Sequence, residues 1–227
     1  MTMKNIALLT SLIALGSLSA SAGTTTGFGT IPGAAANAYS GTGIPINTSV
    51  YETITGAPLP SGDTLTLAMA ATQHGAGNPA PGTNVAGTYT VGLGLVGGRS
   101  KWNFDFYVNS AAGDLSDYTF SLVEAGNGHT FSFDPTAIGD DVGAPNSKGN
   151  SESLDFTPFG TALGYNPNQN DTYKFTLEAF LGGNEIGADS ITVVAGTGSV
   201  PDAASTMSLL GLSFGALVGL RRRFNRA

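Results

Sequence analysis

Residues 101–109 alternate without a break. Trp102, Phe104, Phe106 and Val108 fall on one side of an extended chain, and Asn103, Asp105, Tyr107 and Asn109 fall on the other. A helix cannot use this spacing, because at 3.6 residues per turn the apolar side chains would spread around its circumference. A strand with one buried and one wet face can. The same period of two recurs along the chain. Leu65, Leu67 and Met69 are in phase, as are Tyr89, Val91, Leu93 and Leu95 in a segment running over 88–95. Tyr118, Phe120 and Leu122 follow, then Tyr173, Phe175 and Leu177, and finally the run at 191–194. Between these segments lie Gly97-Gly98, Ala112-Gly113-Asp114, Gly126-Asn127-Gly128 and Gly182-Gly183-Asn184. These residues tolerate the backbone conformations that tight turns require. The expected fold class is all-β: an antiparallel β-sandwich of about eight to ten short strands over residues 50–195. The competing fold is an outer-membrane barrel, which needs outward apolar bands with aromatic girdles and more strands; the body is short for that, and a membrane-type helix at the C-terminus argues against it. Residues 23–49, rich in Gly, Thr and Ala, read as a leader, either mobile or forming an irregular first strand.

Composition narrows the chemistry. Charged residues make up 11% of the 227, against ~25% in an ordinary soluble domain. Cysteine is absent, which excludes disulfides, thiolate zinc sites, iron–sulfur clusters and cysteine nucleophiles. The two histidines, His74 and His129, both fall in Gly-rich loops or turns and read as exposed polar residues. There is no Gly-x-Ser-x-Gly elbow, phosphate loop or dinucleotide fingerprint.

Both ends of the chain read as sorting segments. Lys4, an apolar run over 6–18 and the small-x-small sequence Ala20-Ser21-Ala22 make a secretory signal peptide over 1–22, cut after Ala22. It implies Sec-type export machinery and signal peptidase as partners. Residues 203–220 contain no charge and are followed by Arg221, Arg222, Arg223 and Arg226. Such a run is long enough, by a small margin, for a transmembrane helix in the inner membrane. The arginines would act as a membrane stop on the cytoplasmic side. Before the run, Pro201 lacks an N–H and biases Val200 toward extended backbone, and residues 196–199 form a Gly/Ser-rich linker.

Val200-Pro201-Asp202, then Ser205-Thr206, an apolar run and a terminal Arg cluster, taken in that order over residues 200–227, resemble a PEP-CTERM sorting signal. The closest form is the variant named for Val-Pro-Asp-Ser-Gly. Here Ala203-Ala204 stand where that variant has Ser-Gly. The resemblance implies recognition by an exosortase, a membrane-embedded cysteine protease or transpeptidase. It also implies delivery of the body to the cell surface or to extracellular polymer. The body itself resembles an uncharacterised domain of PEP-CTERM proteins. That likeness rests on Gly87-Thr88-Tyr89, Trp102-Asn103-Phe104-Asp105-Phe106, Phe133-Asp134-Pro135, the segment 151–156, Tyr165-Asn166-Pro167-Asn168 and the segment 171–177. It implies no activity.

Without the two end segments, residues 23–200 carry four basic residues, Arg99, Lys101, Lys148 and Lys174, against fifteen acidic ones, a net charge of −11. Such a body, taken as a whole, is repelled by nucleic acid and by anionic lipid, so no nucleic acid is expected as a partner. Asp134, Asp140, Asp141 and Asp155, with Glu152 nearby, read first as a solvated acidic loop. A structural calcium ion is the alternative cofactor, without the spacing of an EF-hand. Carboxylate catalysis, as in a secreted hydrolase, ranks below both. Tyr107, on the polar side of its strand, and Tyr165, in a Pro/Asn loop, are candidates for stacking on extracellular polysaccharide. The expected function is a non-enzymatic surface or matrix protein, with a glycan-binding adhesin or carbohydrate-binding module as the alternative.

Overall fold

The computed structural model describes residues 22–40, 44–60, 62–74, 86–112, 114–142 and 146–196. The residues expected to form the signal peptide, before 22, and those expected to form the linker and sorting segment, from 197 onward, lie outside the described residues. In chain order the strands are β1 (Gly23–Gly29), β2 (Ser49–Thr55), β3 (Thr64–Gln73), β4 (Thr88–Val91), β5 (Leu95–Val96), β6 (Arg99–Ser100), β7 (Trp102–Ser110), β8 (Thr119–Gly126), β9 (His129–Phe133), β10 (Asp140–Asp141), β11 (Ser147–Ser153), β12 (Asp171–Leu181) and β13 (Asn184–Ala195). Among the described residues there is a single α-helix, α1 (Phe159–Leu163). No helix among them is long and apolar enough to cross a membrane.

The molecule is mostly β. Its strands form two open sheets, ordered β1-β2-β3-β7-β11-β10 and β4-β13-β12-β8-β9, with β5 and β6 pairing as a separate small hairpin. The two sheets share one core. The first contributes Leu65, Leu67, Met69, Trp102, Phe104 and Phe106, and the second Leu122, Tyr173, Phe175, Leu177, Ile191 and Val193. Phe104 stacks on Phe175 with ring centroids 5.0 Å apart, and Trp102 meets Tyr173 at 5.6 Å. Each large apolar side chain buried this way stabilises the fold by roughly 1.5–3 kcal/mol. α1 closes one edge of the core by setting Phe159 against Phe104 and Phe133.

Hairpins follow the turn chemistry. The β12–β13 turn has Gly182 at φ 57° and Gly183 at φ 80°, a conformation that glycine adopts without steric cost. Two consecutive residues with positive φ match the twist of the strands they join. The β8–β9 turn repeats the pattern with Asn127 and Gly128.

Four expectations need correction. First, the second sheet is mixed: β4 pairs parallel with β13, Thr88 beside Thr192 through Val91 beside Ala195. These strands are distant in sequence, so no hairpin forces them antiparallel. Second, the strand expected over 88–95 ends at Val91. Gly94 takes φ 99°, its N–H bonds to the Pro167 carbonyl, and the chain turns out into the β5–β6 hairpin.

Third, of the two forms expected for residues 23–49, a mobile leader or an irregular first strand, the strand is the one found, and it is regular and joined to the body. Gly23–Gly29 pairs along its whole length with β2, and Ile31, Ala38 and Tyr39 are buried in the core. The segment after β1 lies over the outer face of the first sheet. The Ala38 carbonyl sits where a Cβ on Gly149 would be, 1.9 Å away. Tyr39 Oη donates to Ser49 Oγ at 2.7 Å. This cover explains the fourth correction: Tyr107, expected on a wet face, is buried at 1% exposure. β7 is central in its sheet, and both of its faces are covered.

Candidate functional site

The functional candidates separate by place. Asp134 accepts from Thr136 N and Thr136 Oγ1 and so caps the 3-10 turn Pro135–Ala137. Asp140 accepts from Ser40 Oγ, while Asp140 and Asp141 pair through the backbone with Gly149 and Lys148. Asp155 belongs to a different cluster, described below. Among the described residues, no group of three or more His, Asp or Glu is placed to hold a metal ion. His129 is exposed at the start of β9, and His74 is half-buried just past β3.

Asp155 and Tyr165, assigned to different roles by sequence, meet in one place through Ser100. Asp155 Oδ1 accepts the Ser100 N–H at 3.0 Å and is also bonded by Ser153 Oγ. Arg99 Nη1 lies 3.7 Å from Asp155 Oδ2, and its guanidinium stacks 4.0 Å above the Phe156 ring. Burial alone would raise the Asp155 carboxyl. The bonds from Ser153 and Ser100, with Arg99 behind them, hold it below the ordinary carboxylate range. Ser100 Oγ and Tyr165 Oη are 2.5 Å apart. Burial, above all, pushes the Tyr165 hydroxyl upward. The Tyr165 ring packs edge-on to Trp102 and Tyr173.

Chemically this cluster is a clasp. An activated Ser100 needs a base on its oxygen. The group there is a phenol, which keeps its proton at neutral pH, and either hydroxyl can donate to the other. The clasp fixes the β5–β6 hairpin against the loop carrying Tyr165. It also leaves Tyr165 half-buried with its hydroxyl engaged. Sequence reasoning missed Arg99, Ser100, Leu95 and Val96. The alternation of Leu93 and Leu95 concealed the hairpin, although Gly97-Gly98 marked its turn.

The chain leaves the described body at the same end. β13 finishes at Ala195, and the Gly196 N–H bonds to the Val91 carbonyl at 2.9 Å. Gly196 is wedged so tightly that a Cβ there would lie 2.0 Å from Asn170 Oδ1 and 3.3 Å from Leu93 Cδ1. Three residues later begins the segment in which the sorting motif is found. Residues 199–224 match the family model of the VPDSG-CTERM motif. The chain carries a PEP-CTERM-like sorting motif. The motif takes in Val200, Pro201, Asp202, Ser205, Thr206, Arg221, Arg222 and Arg223, all outside the described residues. It marks an exported substrate of the exosortase type. No curated protein and no solved structure matches the chain.

Proposed function

We propose that the chain is an exported protein, held for a time in the inner membrane by its C-terminal segment and then released by an exosortase. Its acidic β-sandwich body then serves as a non-enzymatic module at the cell surface or in an extracellular polysaccharide matrix. The observation that carries this reading is the match of residues 199–224 to the VPDSG-CTERM motif. Several features support it. A signal sequence over 1–22 supplies export, the run over 203–220 supplies the anchor, and the body's net charge of −11 favours solubility in a hydrated polymer. The glycan-binding alternative has lost one of its two platforms, because Tyr107 is buried.

The test is intact mass and fractionation from the native host, with and without the exosortase. The expected product begins at Gly23, ends near Val200 or Pro201, and leaves the membrane only in the strain with the enzyme. A full C-terminus retained in the membrane of both strains would make the tail an ordinary anchor and end the matrix reading.

A further inference from the structure

The end of the body from which the chain departs differs from the rest of its surface. Leu95 and Val96, in the β5–β6 hairpin, are 49% and 39% exposed, and the neighbouring Gly97, Gly98 and Arg99 are exposed as well. Among the described residues the only other large exposed apolar side chain is Phe28. Arg99 and Lys101 flank the same hairpin. Lys174 stands exposed near the start of β12, opposite Thr192 of the departing strand. Three of the body's four basic residues therefore lie toward this end.

Two carboxylates lie at this end as well: Asp155, bonded by Ser100 and offset by Arg99, and Asp171, whose Oδ1 accepts the Thr172 N–H while its Oδ2 has no partner. The opposite end is acidic: Asp63, Asp114 and Asp117 lie near Thr119, and Glu185 follows the β12–β13 turn. The first described strand also starts there, Gly23 beside Thr55.

Chain length fixes how far the exit end can stand from the membrane. Seven residue steps separate Gly196 from Ala203, where the apolar run begins. They span at most about 25 Å even when fully extended. While the run lies in the bilayer, the hairpin is within reach of the headgroup layer. Exposed aliphatic residues beside cationic ones suit that layer, where apolar side chains enter the interface and basic ones meet anionic headgroups.

We propose that the β5–β6 hairpin, through Leu95, Val96, Arg99 and Lys101, seats the exit end of the body on the anionic phospholipid surface while the tail is still anchored. This rests on the anchored-tail reading above. Seating of this kind would hold Val200-Pro201-Asp202 at the membrane surface, where a membrane-embedded protease acts. It also provides for release, because the weak surface contact alone cannot retain the body once the tail is cut.

The absence of cysteine makes the test direct. The full chain is reconstituted into vesicles of zwitterionic phospholipid with a minority of anionic phospholipid. One nitroxide at a time is placed at Val96→Cys, Asn184→Cys or Leu217→Cys. Collision with oxygen is compared with collision with a water-soluble nickel chelate. The expected oxygen-to-nickel ratio is high at 217, intermediate at 96 and low at 184. Adding Leu95→Asn and Lys101→Gln should lower the ratio at 96 severalfold while leaving 217 unchanged. A ratio at 96 equal to that at 184, with 217 still deep, overturns the seating and leaves the anchor standing. An aqueous signal at 217 overturns the anchor reading and the seating with it. Shielding of 96 from both reagents would mean contact with a second copy rather than lipid, and also overturns the proposal. Circular dichroism of each labelled variant confirms that the sheet content is unchanged.

Discussion

At the residue scale, the body's buried carboxyls are its most consequential feature, and they set its response to pH. Glu124 is fully buried, and neither of its side-chain oxygens has a hydrogen-bond partner. Burial, with the nearby Glu152 second, pushes its pKa up to about 8. Burial likewise raises Asp105 and Asp189, each to about 7. In the unfolded chain such groups titrate near pH ~4, so between that value and ~7–8 the folded state holds protons that the unfolded state has lost. Their contribution to stability is therefore complete at low pH and is lost as pH rises through 7–8. Asp63 works in the opposite sense. Burial alone would raise it, but bonds from Tyr118 Oη, Ala112 N, Ser110 Oγ and Thr64 N bring it down to about 2. Its contribution is present above pH ~4 and is lost as pH falls toward ~2. Stability should peak near pH ~4, where the Asp63 contribution is complete and the loss from the three raised carboxyls begins, and decline from there toward pH ~8. Glu124→Gln, which cannot ionise, should flatten that decline by at most about 1.4 kcal/mol per pH unit. Urea unfolding of both proteins at pH 5 and pH 8 checks this. Equal stability of the parent protein at the two pH values would contradict it.

At the scale of elements, the central prediction concerns the covering segment after β1. Gly149 has no room for a side chain because the Ala38 carbonyl occupies its Cβ position. Gly149→Ala should therefore lift the segment off the outer face of the first sheet, uncovering Tyr107 and Tyr39. The expected loss is on the order of 2–3 kcal/mol, as for other overpacked cores, with faster proteolysis within 31–40. Urea unfolding and limited proteolysis measure both, and a variant as stable and as resistant as the parent would refute the covering role. The same region shows what sequence patterning could reach. β7 and β12 were legible because each alternates apolar and polar side chains, and β3 and β8 because Leu65, Leu67 and Met69, and Phe120 and Leu122, fall in phase. β11, Ser147–Ser153, contains no apolar side chain at all, yet it pairs with β7 along its whole length. Its small residues Ser147, Gly149 and Ser153 are buried under cover supplied by distant segments, so no local period announces the strand. Tyr107 was misplaced for the same reason: alternation says which residues share a face and nothing about whether something else covers it. At the clasp, Asp155 and Tyr165 were named from their types, but their meeting at Ser100 depends on tertiary contacts.

At the scale of the whole molecule, the described body has its own complete core, and the sorting segment follows it. Among the described residues the core draws on Ile31 to Ala195, and the last of them, Gly196, bonds to the Val91 carbonyl. Removal of the tail by an exosortase would leave these core contacts in place. A protein spanning residues 22–196 should fold alone and unfold in one cooperative transition, because the two sheets share a single core. The start of the body is less forgiving. A protein spanning 50–196, the boundary that composition suggested, lacks β1 and the buried Ile31, Ala38 and Tyr39. It also exposes the β2 edge and the outer face around Ala68, Ala70 and Tyr107. Loss of the two large buried side chains, Ile31 and Tyr39, at about 1.5–3 kcal/mol each would take a substantial part of the ~5–15 kcal/mol that a domain of this size has. The shorter protein should be insoluble or lack a cooperative thermal transition, while 22–196 melts as a unit; differential scanning calorimetry on both decides it. Cooperative melting of 50–196 at the same temperature would show that residues 22–49 are an appendage after all. Failure of 22–196 to fold would mean that the tail contributes to the body beyond Gly196, and that release by cleavage could not leave an intact module.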